Sequence, residues 1–187
     1  MEGMPRSAYT PAARPGVVAG SFCRTQILED PDTKEDVVAK GSCVIVGAGG
    51  ISNAWFPPLL AEKVEIRGVV DLDVSRARAQ CEKYEVDAEV SDNQTAVLSQ
   101  TQPDFVVDLT VPEAHCQVVC KALKAGCHII GEKPMANSMA EARRMVRTSE
   151  ETGKLYMVSQ SRRWVPRHEA LHKMVKARKV GGLTTLN

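Results

Sequence analysis

The sequence predicts a doubly wound α/β fold, a parallel β-sheet with helices on both faces. Three observations carry this. Short β-branched or apolar runs recur at 43–47 (CVIVG), 65–70 (EIRGVV), 105–109 (FVVDL), 127–131 (CHIIG) and 155–159 (LYMVS). Each is followed by a helical pattern, and a parallel connection needs a crossover long enough to hold a helix. The runs are apolar with little alternation, as expected of strands covered on both faces.

Residues 1–40 precede this alternation. They are rich in Pro, Gly, small and charged residues with no sustained period, and read as an irregular arm. Arg6, Arg14 and Arg24, with Glu2 the only acid up to residue 28, faintly resemble an organelle-targeting presequence. No helical apolar stripe accompanies them, so a cytoplasmic setting is expected.

Residues 41–161 are expected to form the sheet domain. Its helices carry their own start and stop signals. Asp73 can cap VSRARAQCEKY, and Ser138 with Glu141 three residues later forms a capping box opening MAEARRMVRTSEE. In that second helix Met139, Ala142, Met145 and Val146 are the expected buried stripe. Gly126 and Gly153 end two helices just before strands.

Six cysteines stand at 23, 43, 81, 116, 120 and 127, in apolar surroundings and without a C-x-x-C pair. His115, Cys116, Cys120 and His128 could be gathered into a metal site. However, Cys116, Val119, Cys120 and Leu123 recur at i, i+3, i+4 and i+7, the core stripe of a helix. Reduced core thiols and no metal are therefore expected.

Residues 162–187 are expected to be a connecting helix and the first strand, LTTLN, of a further domain. Arg162, Arg163, Arg167, Lys173, Lys176, Arg178 and Lys179 make this the most basic stretch, with Leu171, Met174 and Val175 turned inward. Overall, 24 Lys and Arg balance 23 Asp and Glu, a net charge of +1 that provides no field for gathering nucleic acid or an anionic membrane. No apolar run approaches the roughly 18 residues of a spanning helix. A small molecule is the expected partner.

The strand at 43–47 runs directly into a glycine loop and a helix, and the next strand ends in Asp71. That context makes the fold Rossmann-type and the loop a dinucleotide site. Gly47 permits the tight turn, Gly49 lets backbone amides approach a pyrophosphate, and the helix starting near Gly50 and Ile51 points its positive end at the phosphates. Ser52 takes the third small position. Asp71 is placed to accept from both hydroxyls of an adenosine ribose, which favours NAD over NADP. A 2′-phosphate at ~4 Å would be repelled by about 4 kcal/mol per unit charge at an effective dielectric near 20. Asp73 is the rival for this role, but its position suits the helix cap.

Two later motifs follow strand ends on the same side of the sheet: LTVPEAH at 109–115 and AGCHIIGEKPMA at 125–136. Together, VGAGGIS, an aspartate ending the second strand, T-x-P-x-x-H, A-G-x-H-x-x-x-E-K-P and SRRWVP resemble the glucose-fructose oxidoreductase, inositol dehydrogenase and rhizopine-catabolism (Gfo/Idh/MocA) family, over residues 43 to about 187. The sequence departs from the family pattern at Val111, at Cys127 where lysine is more usual, and at VSQSRRW, where an aromatic and an asparagine often precede the arginines.

The resemblance implies an NAD(P)-dependent oxidoreductase acting on a carbon–oxygen bond of a sugar, polyol or derivative. It implies that Lys133 reaches the nicotinamide ribose and the reacting hydroxyl as the catalytic residue, where an ammonium of lowered pKa can pass the hydroxyl proton. Pro134 would fix the turn, often after a cis bond, and Glu132 would orient the loop. Thr110, Val111, Pro112 and His115 would line the nicotinamide side, although His115 could equally satisfy local backbone groups. Arg162 and Arg163 match positions near the nicotinamide or substrate.

Family members continue through roughly another domain, so the chain is expected to be a truncated form or a free-standing cofactor domain. The rival readings are a nucleotide-binding module without turnover and an inactive fragment. An unpaired LTTLN strand would invite self-association, which leaves a homo-oligomer open.

Overall fold

A computed structural model describes residues 40–179 and residue 181. The arm expected over 1–40, apart from Lys40, and the strand expected at LTTLN lie outside the described residues. Six strands form one parallel sheet: β1 (Ser42–Val46), β2 (Glu65–Val70), β3 (Glu89–Ser91), β4 (Phe105–Asp108), β5 (His128–Gly131) and β6 (Tyr156–Val158). Their spatial order is β3-β2-β1-β4-β5-β6. Helices α1 (Phe56–Ala61), α2 (Val74–Lys83), α3 (Gln94–Thr101), α4 (Pro112–Lys124) and α5 (Met139–Thr152) connect consecutive strands, and α6 (Pro166–Lys176) follows β6. This is the doubly wound arrangement expected.

The pattern of β1 explains its central place. Val44 and Val46 pack with Val106, Val119, Leu123 and Met145, while Cys43 and Ile45 pack with Val107, Phe56, Ala77 and Cys81 on the other side. Successive side chains point to opposite faces, so both core layers draw on this strand and every one of its residues is buried. Each fully buried Val or Ile contributes about 1.5–3 kcal/mol.

Strand β3 is absent from the apolar runs because it is short, lies at the sheet edge, and reads Glu89, Val90, Ser91. An edge strand needs little apolar surface, so it leaves no run in the sequence.

The helix expected from Gly50 is divided. A 3-10 turn covers Gly50–Ala54, and α1 begins only at Phe56. Pro57 and Pro58 lack the amide donors that would bond back into that turn, so one continuous α-helix cannot form.

Asp73 caps α2 by accepting from Ser75 N at 3.1 Å, and Ser138 caps α5 by accepting from Glu141 N at 3.2 Å. Glu141 Oε2 has no hydrogen-bond partner, so the second half of the capping box is not made through it.

The stripe of α4 is buried as expected, with Cys116, Val119, Cys120 and Leu123 all inside. Burial pushes the Cys43 thiol up to about 12 and raises that of Cys116, which keeps both protonated and unreactive.

The inner face of α5 differs from expectation. Met145 is buried, but Met139 and Val146 are exposed, and Thr148 is buried instead. The Thr148 hydroxyl donates to Arg144 O at 2.9 Å and that of Thr152 to Thr148 O at 2.7 Å. Hydroxyls satisfied on their own helix can face inward, which a reading of apolar spacing alone misses. Leu171, Met174 and Val175 of α6 also differ: no residue of that helix is buried, and Leu171 is 57% exposed. Amphipathic spacing records a capacity for burial, and among the described residues no layer encloses it.

No helix of the described residues is long and apolar enough to cross a membrane.

The start of β1 is tied to the loop before β4 by one carboxylate. Asp104 Oδ2 accepts from Ser42 N at 2.7 Å and from Ser42 Oγ at 2.8 Å, which holds the Asp104 carboxyl below its usual range. Ser42 is buried, so Asp104→Ala should strand its amide, leave its hydroxyl only the residue-104 amide as partner, and lower the unfolding free energy by about 1–3 kcal/mol in a urea titration. The difference from wild type should be full at neutral pH. It should shrink as pH falls below about 4, because a depressed carboxyl loses its contribution when it is protonated.

Candidate functional site

In a parallel sheet all strands end at the same edge, and here the chain direction of winding reverses between β1 and β4. Neighbouring connections diverge at such a point and leave a crevice. A cleft of about 890 Å³ opens there, lined among others by Gly47, Gly49, Asp71, Arg76, Thr110 and Lys121. Its size is in the range of small-molecule sites.

The glycine loop is set by contact with β4. Gly47 has φ +101°, and a Cβ on it would lie 2.7–2.9 Å from backbone atoms of Leu109 and Thr110, so no other residue fits. At Gly49 and Gly50 the opposite holds. A Cβ would meet nothing within 4 Å, and the backbone borders open space. A cradle of this kind admits a pyrophosphate against the chain. Ser52 is fully buried, and its hydroxyl donates to Gly49 O at 2.6 Å, so it shapes the turn from beneath. Ile51 is partly exposed on the turn.

Asp71 stands beside this loop. Its Oδ2 accepts from Ala48 N at 2.7 Å and its Oδ1 from Asp73 N at 2.9 Å, leaving each oxygen further acceptor capacity toward the cleft. Asp73 caps α2 and pairs with Arg76, whose Nε lies 3.2 Å from Asp73 Oδ2. The Ser75 hydroxyl is the main cause of the lowered Asp73 pKa.

The loop after β4 is organised from behind. Asp108 is completely buried at the end of β4. Its Oδ1 accepts from Thr110 Oγ1 at 2.6 Å and Thr110 N at 3.1 Å, and its Oδ2 lies 2.7 Å from His115 Nδ1. His115 is 1% exposed, and its Nε2 has no hydrogen-bond partner. Its side chain therefore faces a carboxylate in the core, neither the cleft nor a local backbone group. Thr110 and Val111 are at the cleft wall, with Val111 61% exposed, and Pro112 opens α4.

The loop after β5 carries Glu132, Lys133 and Pro134, with a cis bond between the last two. Glu132 Oε1 accepts from the Trp55 indole N–H at 3.0 Å. Its Oε2 accepts from Lys133 N at 3.2 Å and lies 3.9 Å from Lys133 Nζ. The Lys133 side chain is 67% exposed. Arg162 and Arg163 follow β6 in a 3-10 turn, Ser161–Trp164, and are exposed. Lys133 and both arginines share the sheet edge with the glycine loop but do not line the cleft, which is built at β1, β2 and β4.

Sequence reasoning missed Trp55, Arg76, Asp108 and Lys121. Asp108 had a signal, an acid inside the apolar run FVVDL that must find a buried partner. Arg76 had a local one, its place three residues after the Asp73 cap with which it pairs, whereas Trp55 and Lys121 had none, because their places depend on segments distant along the chain. Among the described residues no group of His, Cys, Asp and Glu is placed to hold a metal ion.

Over residues 42–160 the chain matches the oxidoreductase family with an NAD-binding Rossmann fold, GFO/IDH/MocA. D-glucoside 3-dehydrogenase of Escherichia coli strain K12 is 34% identical over 113 residues, covering 59% of this chain and 32% of that protein. D-apiose dehydrogenase of Paraburkholderia graminis is 30% identical over 161 residues, covering 84% of this chain and 41% of the relative. The chain thus spans less than half the length of either relative. The WlbA dehydrogenase from Chromobacterium violaceum, solved with NADH and UDP-GlcNAcA, superimposes with a TM-score of 0.70 at 25% identity, covering 83% of this chain and 44% of that one. With its glycine loop, strand-end aspartate and E-K-P turn on one sheet edge, the chain belongs to the Gfo/Idh/MocA family of NAD-binding oxidoreductases.

Proposed function

We propose that the chain binds NAD(H) in preference to NADP(H) and serves hydride transfer between nicotinamide and a carbon–oxygen bond of a sugar, polyol or related derivative. The observation that carries this reading is the open space above Gly49 and Gly50, flanked by the Asp71 carboxylate and continued along the same edge to Lys133. The sugar-directed relatives support the substrate class.

In this reading the backbone at Gly49 to Ile51 holds the pyrophosphate, Asp71 accepts from the adenosine ribose, and Thr110 and Val111 border the path toward the nicotinamide. NAD supplies a hydride acceptor. Oxidation of an alcohol also releases a proton, and Lys133 is the residue assigned to take it, accepting it as the neutral amine and becoming the ammonium. Its side chain is 67% exposed and its Nζ stands 3.9 Å from Glu132 Oε2, a loose pairing that leaves Nζ open to the outer side of the sheet edge. Buried, protonated thiols suit a cytosolic setting, and the exposed apolar residues Met157 on β6 and Leu155 just before it favour self-association.

A second reading, a nucleotide-binding module without turnover, is favoured by one observation. The cleft lies at the ends of β1, β2 and β4, while Lys133 stands open to solvent, so the described residues do not surround a polyol. Hydride transfer needs the reacting carbon within roughly 3–3.5 Å of the nicotinamide. The 187-residue chain alone is therefore expected to bind cofactor with no appreciable turnover on a sugar and polyol panel. Saturable turnover at an ordinary dehydrogenase rate would exclude this second reading.

Titration with NADH and NADPH tests the cofactor assignment. Wild type should bind NADH more tightly. Asp71→Asn keeps an oxygen for Ala48 N but loses the charge, and should shrink the discrimination by roughly 10-fold or more, given the repulsion expected at a 2′-phosphate. Unchanged discrimination would remove Asp71 from this role.

In a form that turns over substrate, Lys133→Met should lower kcat roughly 100-fold or more while the Kd for NADH changes little, the signature of lost proton transfer. Near-normal kcat in a folded variant would retire Lys133 as the catalytic residue.

A further inference from the structure

We infer that Trp55 is a positioning residue whose indole N–H, through Glu132, couples the glycine turn to the loop that presents Lys133. The inference rests on the cofactor-binding reading above and names a residue which that reading does not use.

Trp55 belongs to the glycine turn by its backbone. Its amide donates to Ser52 O at 2.9 Å, and Ser52 in turn bonds Gly49 O through both amide and hydroxyl. By its side chain, Trp55 belongs to the other loop, because the indole N–H donates to Glu132 Oε1 at 3.0 Å across 77 residues of sequence. The second oxygen of the same carboxylate accepts from the Lys133 amide, while the Glu132 amide donates to Asp108 O at 3.0 Å. One carboxylate therefore stands between the turn after β1 and the lysine after β5, two strands away in the sheet.

The burial pattern gives the link its direction. The Glu132 side chain is 15% exposed and that of Lys133 67%. The carboxylate is the fixed point, and the lysine extends from it. An N–H donated to a carboxylate is stronger than a neutral bond, and solvent competes little where the acceptor is mostly covered. Trp55 also packs on the apolar cluster that contains Phe56 and Ile45, so a phenylalanine in its place retains much of that contact and removes the donor.

A ligand that orders the glycine turn should then also order the loop at 131–135, even when it does not reach that loop itself. ADP is such a ligand, since it fills the adenosine and diphosphate positions and carries no nicotinamide. Hydrogen exchange on the 187-residue chain, followed by mass spectrometry of the 131–135 segment, tests the coupling, with α4 as internal control. In wild type ADP should slow exchange in this segment by at least about fivefold. In Trp55→Phe, ADP should bind with affinity within about twofold of wild type but leave 131–135 unchanged. Glu132→Ala should behave in the same way, and the double variant should add nothing, since each removes one end of a single link.

Equal protection of 131–135 by ADP in wild type and in folded Trp55→Phe would overturn the inference, as would no protection in wild type that binds ADP. Failure of wild type to bind either ADP or NADH in the titration would instead remove the cofactor reading, and this inference with it. A readout that needs no variant at Trp55 covers the case in which Trp55→Phe does not fold. Trp164, 80% exposed, can be replaced by phenylalanine to leave one indole N–H signal in the NMR spectrum. That signal should exchange slowly with solvent and shift on Glu132→Ala; a fast-exchanging, unshifted signal would count against the link.

Discussion

Burial of β1 on both faces is the constraint from which the rest of the site follows. Because its odd and even residues enter two different core layers, the strand has to lie inside the sheet, and its neighbours on either side, β2 and β4, end beside it. Winding then proceeds outward in opposite directions, which opens a crevice where β1 and β4 part. The cleft needs no specialised residue to exist. It is a consequence of packing a parallel sheet around one apolar strand, and the glycines serve to keep it open on one side and closed on the other. Gly47 allows the chain to touch the backbone of Leu109 and Thr110, and Gly49 leaves the space above it free.

Around that crevice the strand ends share a device. β2, β4 and β5 are each followed or ended by a carboxylate, Asp71, Asp108 and Glu132, and each carboxylate holds loop groups beyond its own strand. Asp71 accepts from the glycine loop, Asp108 from Thr110 and His115, and Glu132 from Trp55 and Lys133. Loops at a ligand edge have few apolar contacts to locate them, so charge-assisted hydrogen bonds to fixed strand ends do that work. This arrangement also means that a variant at Asp71 changes the geometry of the glycine loop as well as charge. Conservative replacements are therefore more informative than alanine at Asp71.

Family membership and site geometry bear on different parts of the function. The family match covers the segment that carries the sheet, and the features at its edge suit a dinucleotide. On the open side of the same edge the described residues present mainly the exposed Lys133 and the arginines after β6. That division is physical. Binding a cofactor requires one concave edge, whereas holding a polyol in reacting position requires enclosure.

The sequence by itself determined five of the six strands, all but β3, that they are parallel, where the glycine loop and Asp71 fall relative to them, and which face of α4 is buried. These are local properties, set by apolar period, caps and backbone freedom within a few residues. Only the tertiary structure decided that β3 pairs at the edge, that Thr148 replaces Val146 on the inner face of α5, and that α6 buries nothing. It also decided that His115 meets Asp108 in the core and that Trp55 reaches Glu132. Each of these depends on what lies opposite a residue in space. A hydroxyl can turn inward only if its own helix satisfies it, an apolar stripe is buried only if a layer covers it, and an indole finds a carboxylate 77 residues away only after the sheet has brought the two loops to one edge.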